Sequence, residues 1–123
     1  FPEIFDSALP EDEQGFDAVI GNPPYIRVDN LEREDKNFWR NSFESSKGKY
    51  DIYYLFIESV FKWLKRGGKC GFIVPNKFCA ADSAENLRGL IFNNSQYCEI
   101  TSVSGLSVFQ DAANYPLIIE SFE

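Results

Sequence analysis

The sequence predicts an α/β fold with a mixed sheet, and three observations carry that reading. A short apolar run at residues 16–21 is stopped abruptly by Asn22-Pro23-Pro24, an amphipathic stretch of helical period opens at Asp51, and a second apolar run at residues 69–75 follows Gly67-Gly68. Strand, helix and strand joined this tightly make a crossover unit with parallel strands, which is right-handed. At 123 residues, with 44% apolar and 25% charged, the chain has room for one packed core and none for a second domain. It contains no Met and begins at Phe1, so it reads as a piece of something longer.

Taken in order, residues 1–14 carry acids without a base and two prolines, and read as a surface lead-in in which function does not reside. The run at 16–21 reads as a buried strand, with chemistry expected at its carboxyl end. Residues 31–49 are polar, mixed in charge and rich in Asn and Ser. They read as a mobile loop with one helical turn around 34–39. The segment from Asp51 is the strongest helix: Ile52, Leu55, Phe56, Val60, Trp63 and Leu64 share one face, while Glu58, Lys62 and Lys65 share the other. Glu58 and Lys62 are ordered for an i,i+4 pair. Tyr53, Tyr54, Ile57 and Phe61 widen the apolar face, as a helix packed on a sheet requires. Gly67-Gly68 is read as its terminator and residues 69–75 as a second buried strand. Asp82 with Glu85 has the form of a capping box opening a helix over Leu87, Leu90 and Ile91. Residues 99–103 and 117–122 are further strands, and their short connection predicts an antiparallel pair.

Composition excludes several function classes. Nineteen acids against twelve bases give a net charge of -7, a balance that repels phosphate backbones unless the bases gather on one face. The segment alone is expected to bind nucleic acid poorly. Cys70, Cys79 and Cys98 are odd in number and there is no His, which argues against a disulfide framework, a zinc site and imidazole acid–base chemistry. They read as ordinary buried thiols in a reducing cytosol. No metal is expected. No apolar run approaches membrane-spanning length and no signal peptide is visible, so a cytoplasmic location is expected.

Asn22-Pro23-Pro24-Tyr25 is the informative tetrapeptide, which chance would place in about one chain of this length per thousand. One reading is a rigid turn in which the prolines fix two φ angles, Asn22 caps the strand end and Tyr25 packs on what lies below. The other is chemical. An exocyclic aromatic amine is a poor nucleophile because its lone pair is delocalised into the ring. An Asn side-chain carbonyl and a backbone carbonyl fixed by proline can accept its two N–H bonds and localise that pair, while Tyr25 offers a flat face for stacking. This chemistry needs neither His nor metal.

At these residues the sequence resembles the N6-adenine DNA methyltransferases of restriction–modification systems, including combined restriction and modification enzymes. The resemblance covers most of the chain: Phe1-Pro2-Glu3-Ile4-Phe5, the strand with Asn22-Pro23-Pro24-Tyr25-Ile26, Tyr50-Asp51-Ile52-Tyr53-Tyr54-Leu55-Phe56, and Gly68 through Ile73-Val74-Pro75-Asn76-Lys77-Phe78. It implies the C-terminal half of a Rossmann-like, S-adenosylmethionine-dependent methyltransferase fold with an antiparallel last strand. By that likeness Asn22 and the Pro23 carbonyl hold the adenine amine, Pro24 completes the turn, and Tyr25 stacks on a base flipped out of the duplex. Tyr50, Asp51 and Tyr53 lie near the cofactor and base pocket. Phe122 resembles the aromatic that contacts the flipped base, although an aromatic at a strand end also reads as core. Arg27 and Lys77, which follow strand ends, are placed where the target DNA passes. Together with Lys47, Lys49, Lys62, Lys65, Arg66 and Lys69 they read either as a phosphate-facing rim or, more in keeping with an acidic chain, as a solvated mixed surface.

The likeness also shows what these residues lack. Such enzymes bind the cofactor on a Gly-containing loop after their first strand, and Gly67-Gly68-Lys69-Cys70-Gly71 follows a helix instead. Residues 1–123 are therefore expected to be a partial catalytic domain without the cofactor loop or a target-recognition domain, inactive alone and without useful cofactor binding. The four strands are expected to form one contiguous side of the sheet, leaving the first strand as an open edge through which the segment self-associates. Similar Asn-Pro-Pro-Tyr sites act on other planar amides and amines. A release-factor glutamine methyltransferase, an RNA guanine methyltransferase and a non-catalytic DNA-specificity or assembly module therefore stand as alternatives.

Overall fold

The computed structural model describes residues 1–101 and 114–121. Strands β1 (Phe16–Gly21), β2 (Leu64–Pro75), β3 (Ser95–Ile100) and β4 (Asn114–Ser121) form one sheet in the order β1-β2-β4-β3. β1 runs parallel to β2, and β4 runs antiparallel to both β2 and β3, so the sheet is mixed and its closing pair antiparallel, as expected. Helix α1 (Arg33–Ser42) and helix α2 (Ile52–Trp63) lie between β1 and β2 in the chain, and α3 (Glu85–Asn94) between β2 and β3.

Alternation along the strands decides where the core sits. Cys70, Phe72 and Val74 of β2 and Leu117 and Ile119 of β4 are buried in one cluster with Tyr53, Ile57 and Val60 of α2 and Leu87 of α3. Each such side chain contributes about 1.5–3 kcal/mol of burial. On the reverse face Ile20 is 86% exposed and Ile118 40% exposed. The expected burial of β1 is therefore corrected. Among the described residues β1 is an edge strand with one neighbour, and only its Phe16 and Val19 are even partly covered.

Further expectations are corrected as well. The stretch read as a mobile loop contains the ten-residue helix α1, whose first turn holds Glu34 and Asp35 and whose last turn holds Arg40, as the helix dipole favours. Its Trp39, with Phe43 beyond it, packs against the core, and the following Ser45 and Ser46 are buried. Glu58 does not project outward to pair with Lys62. It is buried, and its carboxylate accepts the Glu44 N–H at 3.0 Å, the Ser45 N–H at 2.9 Å and the Ser45 hydroxyl at 2.6 Å. Lys62 instead sits over the Phe43 ring, 5.3 Å from its centroid.

Gly67-Gly68 does not terminate α2, which ends at Trp63. The glycines lie inside β2. There Phe16 pairs with Leu64 but Ala18 with Lys69, so extra residues of β2 bulge out opposite β1. Gly67 takes φ +71°, and a Cβ on Gly68 would come within 2.9 Å of the Phe16 and Lys65 carbonyl oxygens. Asp82 forms no capping box, because residues Asp82–Ala84 make a 3-10 turn and α3 starts after Ala84 without a side-chain cap. Arg88 secures that corner instead, donating to the Phe78 and Ala81 carbonyls at 2.9 and 2.6 Å.

The last strands are displaced from the expected bounds: β3 ends at Ile100, and β4 begins at Asn114 and ends before Phe122, which lies outside the described residues. The thiols also divide. Cys70 is buried, and burial pushes its pKa up to about 12, whereas Cys79 and Cys98 are exposed, correcting the reading of all three as buried. Among the described residues no helix is long and apolar enough to cross a membrane, and no group of three or more acids or thiols is placed to hold a metal ion.

Candidate active site

β1 ends at Gly21, and the chain turns at Asn22-Pro23-Pro24 with Pro23 buried and Asn22 and Pro24 exposed. Tyr25 lies back toward the sheet. Its hydroxyl reaches the Ile73 carbonyl of β2 at 2.7 Å and the Asn22 side-chain oxygen at 3.0 Å. Its ring meets Tyr53 edge-on, with centroids 5.8 Å apart. Tyr53 in turn packs edge-on to Tyr54 at 4.8 Å and Phe78 at 6.3 Å, so the aromatic wall under Tyr25 is continuous into the core.

The turn is fastened to the start of α2. Asp51 takes the Tyr53 N–H at 3.2 Å on Oδ1, which caps the helix, and the same oxygen takes the Ile26 N–H at 3.0 Å. Around it the Ile52 N–H donates to the Ile26 carbonyl at 2.9 Å and the Val28 N–H to the Tyr50 carbonyl at 3.0 Å, an isolated antiparallel bridge at Arg27 and Asp51. Two segments more than twenty residues apart thus share one backbone frame.

Tyr25, Arg27, Tyr50, Asp51, Tyr53 and Lys77 all line one open cavity of about 650 Å³. Asn22, Pro23 and Pro24 do not line it, and Asn22 is joined to it through the Tyr25 hydroxyl. Phe122, the remaining predicted substrate contact, lies outside the described residues. Sequence reasoning assigned no site role to Tyr54 or Ser83 on the same wall, and named Lys49 only among the basic residues of a phosphate-facing rim. Lys49 carried a signal, since it directly precedes the Tyr50-Asp51 pair. Ser83 carried none, because it arrives from the turn before α3. The hydroxyls of Tyr50 and Tyr53 are buried without a hydrogen-bond partner among the described residues, which marks this wall as suited to a polar ligand.

Burial holds the Asp51 carboxyl above its ordinary range, against the opposing hydrogen bonds from Tyr53 and Ile26 and the charge of Arg27. The folded state therefore holds this proton more tightly than the unfolded chain. The contribution is full below the ordinary carboxylate value and is lost as pH rises through the raised one. Asp51→Asn keeps an oxygen acceptor and removes the titration. The thermal-midpoint difference, wild type minus Asp51→Asn, is expected to shrink as pH rises through that window and to stay level above it. A difference that grows with pH would contradict the assignment.

Residues 1–109 match the model of the Eco57I restriction-modification methylase family. The chain belongs to that family. It is 32% identical over 115 residues to the type II methyltransferase M.HincII of Haemophilus influenzae, covering 89% of this chain and 22% of that protein. It is 27% identical over 107 residues to the type II restriction enzyme and methyltransferase RM.Eco57I of Escherichia coli, covering 85% of this chain and 11% of that protein. The chain thus spans less than a quarter of the length of either methylase relative. Among solved structures, a Listeria monocytogenes chain described as a class I S-adenosylmethionine-dependent methyltransferase superposes with a TM-score of 0.67 at 23% identity, over 89% of this chain and 32% of that one. That likeness gives the fold, and it agrees with the α/β methyltransferase architecture expected from the sequence.

Proposed function

We propose that the protein carrying this segment is a site-specific DNA methyltransferase of a restriction–modification system, acting on the N6 amine of an adenine flipped out of the duplex. The observation that carries the reading is Asn22-Pro23-Pro24-Tyr25 at the open end of β1, with the Tyr25 ring forming one wall of the cavity. Asn22 offers a side-chain carbonyl and Pro23 a backbone carbonyl, the two acceptors that an aromatic amine needs to localise its lone pair. Tyr25, 37% exposed, presents a surface on which the base stacks. Arg27 and Lys77 sit exposed at the cavity, where they meet phosphates of the target strand. Phe122 is retained as a proposed base contact.

S-adenosylmethionine, when bound, supplies the electrophilic methyl group. The orphaned hydroxyls of Tyr50 and Tyr53 fit the side of such a polar ligand, whereas the Asp51 oxygen that caps α2 is already committed to two backbone amides. Asp51 is therefore assigned to hold Tyr50 and Tyr53 in place, with any direct contact made by its other oxygen. Residues 1–123 are proposed as the partial catalytic domain, with the cofactor loop and target-recognition domain supplied elsewhere in a cytoplasmic protein. The segment alone is then inactive and does not bind the cofactor usefully.

The test is transfer of labelled methyl from S-adenosylmethionine by the full-length protein to duplex DNA, RNA and release-factor protein offered in parallel. Label recovered from DNA as N6-methyladenine supports the reading. Label in RNA or protein moves the activity to that substrate, and tight DNA binding without label identifies a specificity module. The open edge of β1 carries a second expectation, that the isolated segment pairs with a second copy. Sedimentation at high concentration should give a dimer or larger, and a strictly monomeric mass would exclude it.

A further inference from the structure

The Tyr25 hydroxyl faces two oxygens, the Ile73 carbonyl at 2.7 Å and Asn22 Oδ1 at 3.0 Å. A phenol carries one proton, so it can satisfy only one of them fully. The shorter contact is with a backbone carbonyl of β2, fixed by the sheet, and it takes that proton. The Asn22 contact then sets one acceptor against another. Asn22 is exposed and nothing else among its described hydrogen bonds holds its amide, so a half-turn about its Cβ–Cγ bond is open to it. That half-turn exchanges the two ends of the amide. Its NH₂ then donates to the phenol oxygen, the phenol donates to Ile73, and every group in the row is satisfied.

We propose that Tyr25 is a positioning residue for Asn22 as well as a stacking surface: its hydroxyl, anchored on Ile73, holds the Asn22 amide nitrogen and so turns the Asn22 carbonyl outward to meet the substrate amine. The inference rests on the adenine-amine reading of the site and adds the control of acceptor orientation to it. Without the hydroxyl, the amide is free to present NH₂ to the incoming amine, donor against donor. The carbonyl is then correctly aimed for only part of the time.

The decisive variant is Tyr25→Phe, which keeps the ring and removes the oxygen. In the full-length protein, kcat for methyl transfer to duplex DNA is expected to fall about five- to tenfold, the equivalent of one neutral hydrogen bond. KM for DNA and the fluorescence of 2-aminopurine at the target position should stay within twofold, because stacking is retained. In an Asn22→Ala background the same change should cost less than twofold, since there is no amide left to orient. An equal loss in both backgrounds would overturn the proposal, as would unchanged kcat in the single variant. A readout independent of turnover is the Asn22 side-chain amide in protein labelled with ¹⁵N-Asn. Slowed proton exchange in wild type that is lost in Tyr25→Phe supports the held orientation, and fast exchange in both refutes it. Should wild type transfer no methyl to DNA, the substrate reading fails, and the amide spectrum still decides the orientation.

Discussion

Asn22→Ala in the full-length protein should lower single-turnover methyl transfer to DNA by at least about 10²- to 10³-fold, the scale on which removing one preorganised charge-stabilising group slows acyl transfer. Asn22 is exposed and its recorded side-chain contact is with the Tyr25 hydroxyl, which keeps its bond to Ile73 when Asn22 is truncated. The fold should therefore be untouched, with the thermal midpoint moving by no more than about 2 °C, as expected for a surface change within about 0.5 kcal/mol. DNA binding should also persist, since the proposed phosphate contacts Arg27 and Lys77 and the stacking face of Tyr25 are unchanged. A rate within fivefold of wild type would remove Asn22 from the chemistry and return the tetrapeptide to the role of a rigid turn.

The second large effect is on stability. Glu58→Ala is expected to cost about 3–5 kcal/mol, read as a fall in the urea midpoint. The buried carboxylate accepts two backbone N–H groups and one hydroxyl from residues 44 and 45, and truncation leaves these donors without their acceptor. Glu58→Gln keeps one acceptor oxygen and should lose roughly half as much. Lys62→Ala, by contrast, should change stability by less than about 1 kcal/mol, since its contact is a cation over the Phe43 ring. A larger loss in Lys62→Ala than in Glu58→Ala would show that the carboxylate is not the anchor.

These two residues also show what the sequence could convey. Asn22 announced itself because its signal is local: an apolar strand, a stop, two prolines and an aromatic lie within ten consecutive positions. The opening of α2 at Asp51 and its apolar surface were legible for the same reason, as was the second strand that follows. Glu58 was not, because a helical Glu followed by Lys at i+4 matches a surface pair, and its actual partners stand 13 and 14 residues away in a stretch with no period. α1 was hidden by its polar composition and by Glu32, which precedes it without a side-chain cap. Gly67-Gly68 carried the signal of a helix end, and only the left-handed backbone at Gly67 and the close approach of the Phe16 and Lys65 carbonyls to Gly68 reveal why those positions lack a side chain. At the site, residue types identified Tyr25, but its anchor on Ile73 spans 48 positions and depends on the register of β1 against β2.

The bridge between Arg27 and Asp51 and the grip of Glu58 on residues 44 and 45 also decide where the chain tolerates insertion. Together they pin both ends of residues 28–44, a stretch that includes α1, while Tyr25 takes its own position from β2. Between those ends Leu31, Trp39 and Phe43 stay packed against the core, so length can change at the exposed positions, where doubling a loop costs only about 0.6 kcal/mol in closure entropy. Insertions at those exposed positions are therefore expected to leave the Asn-Pro-Pro-Tyr turn in place, because Tyr25 is anchored on Ile73.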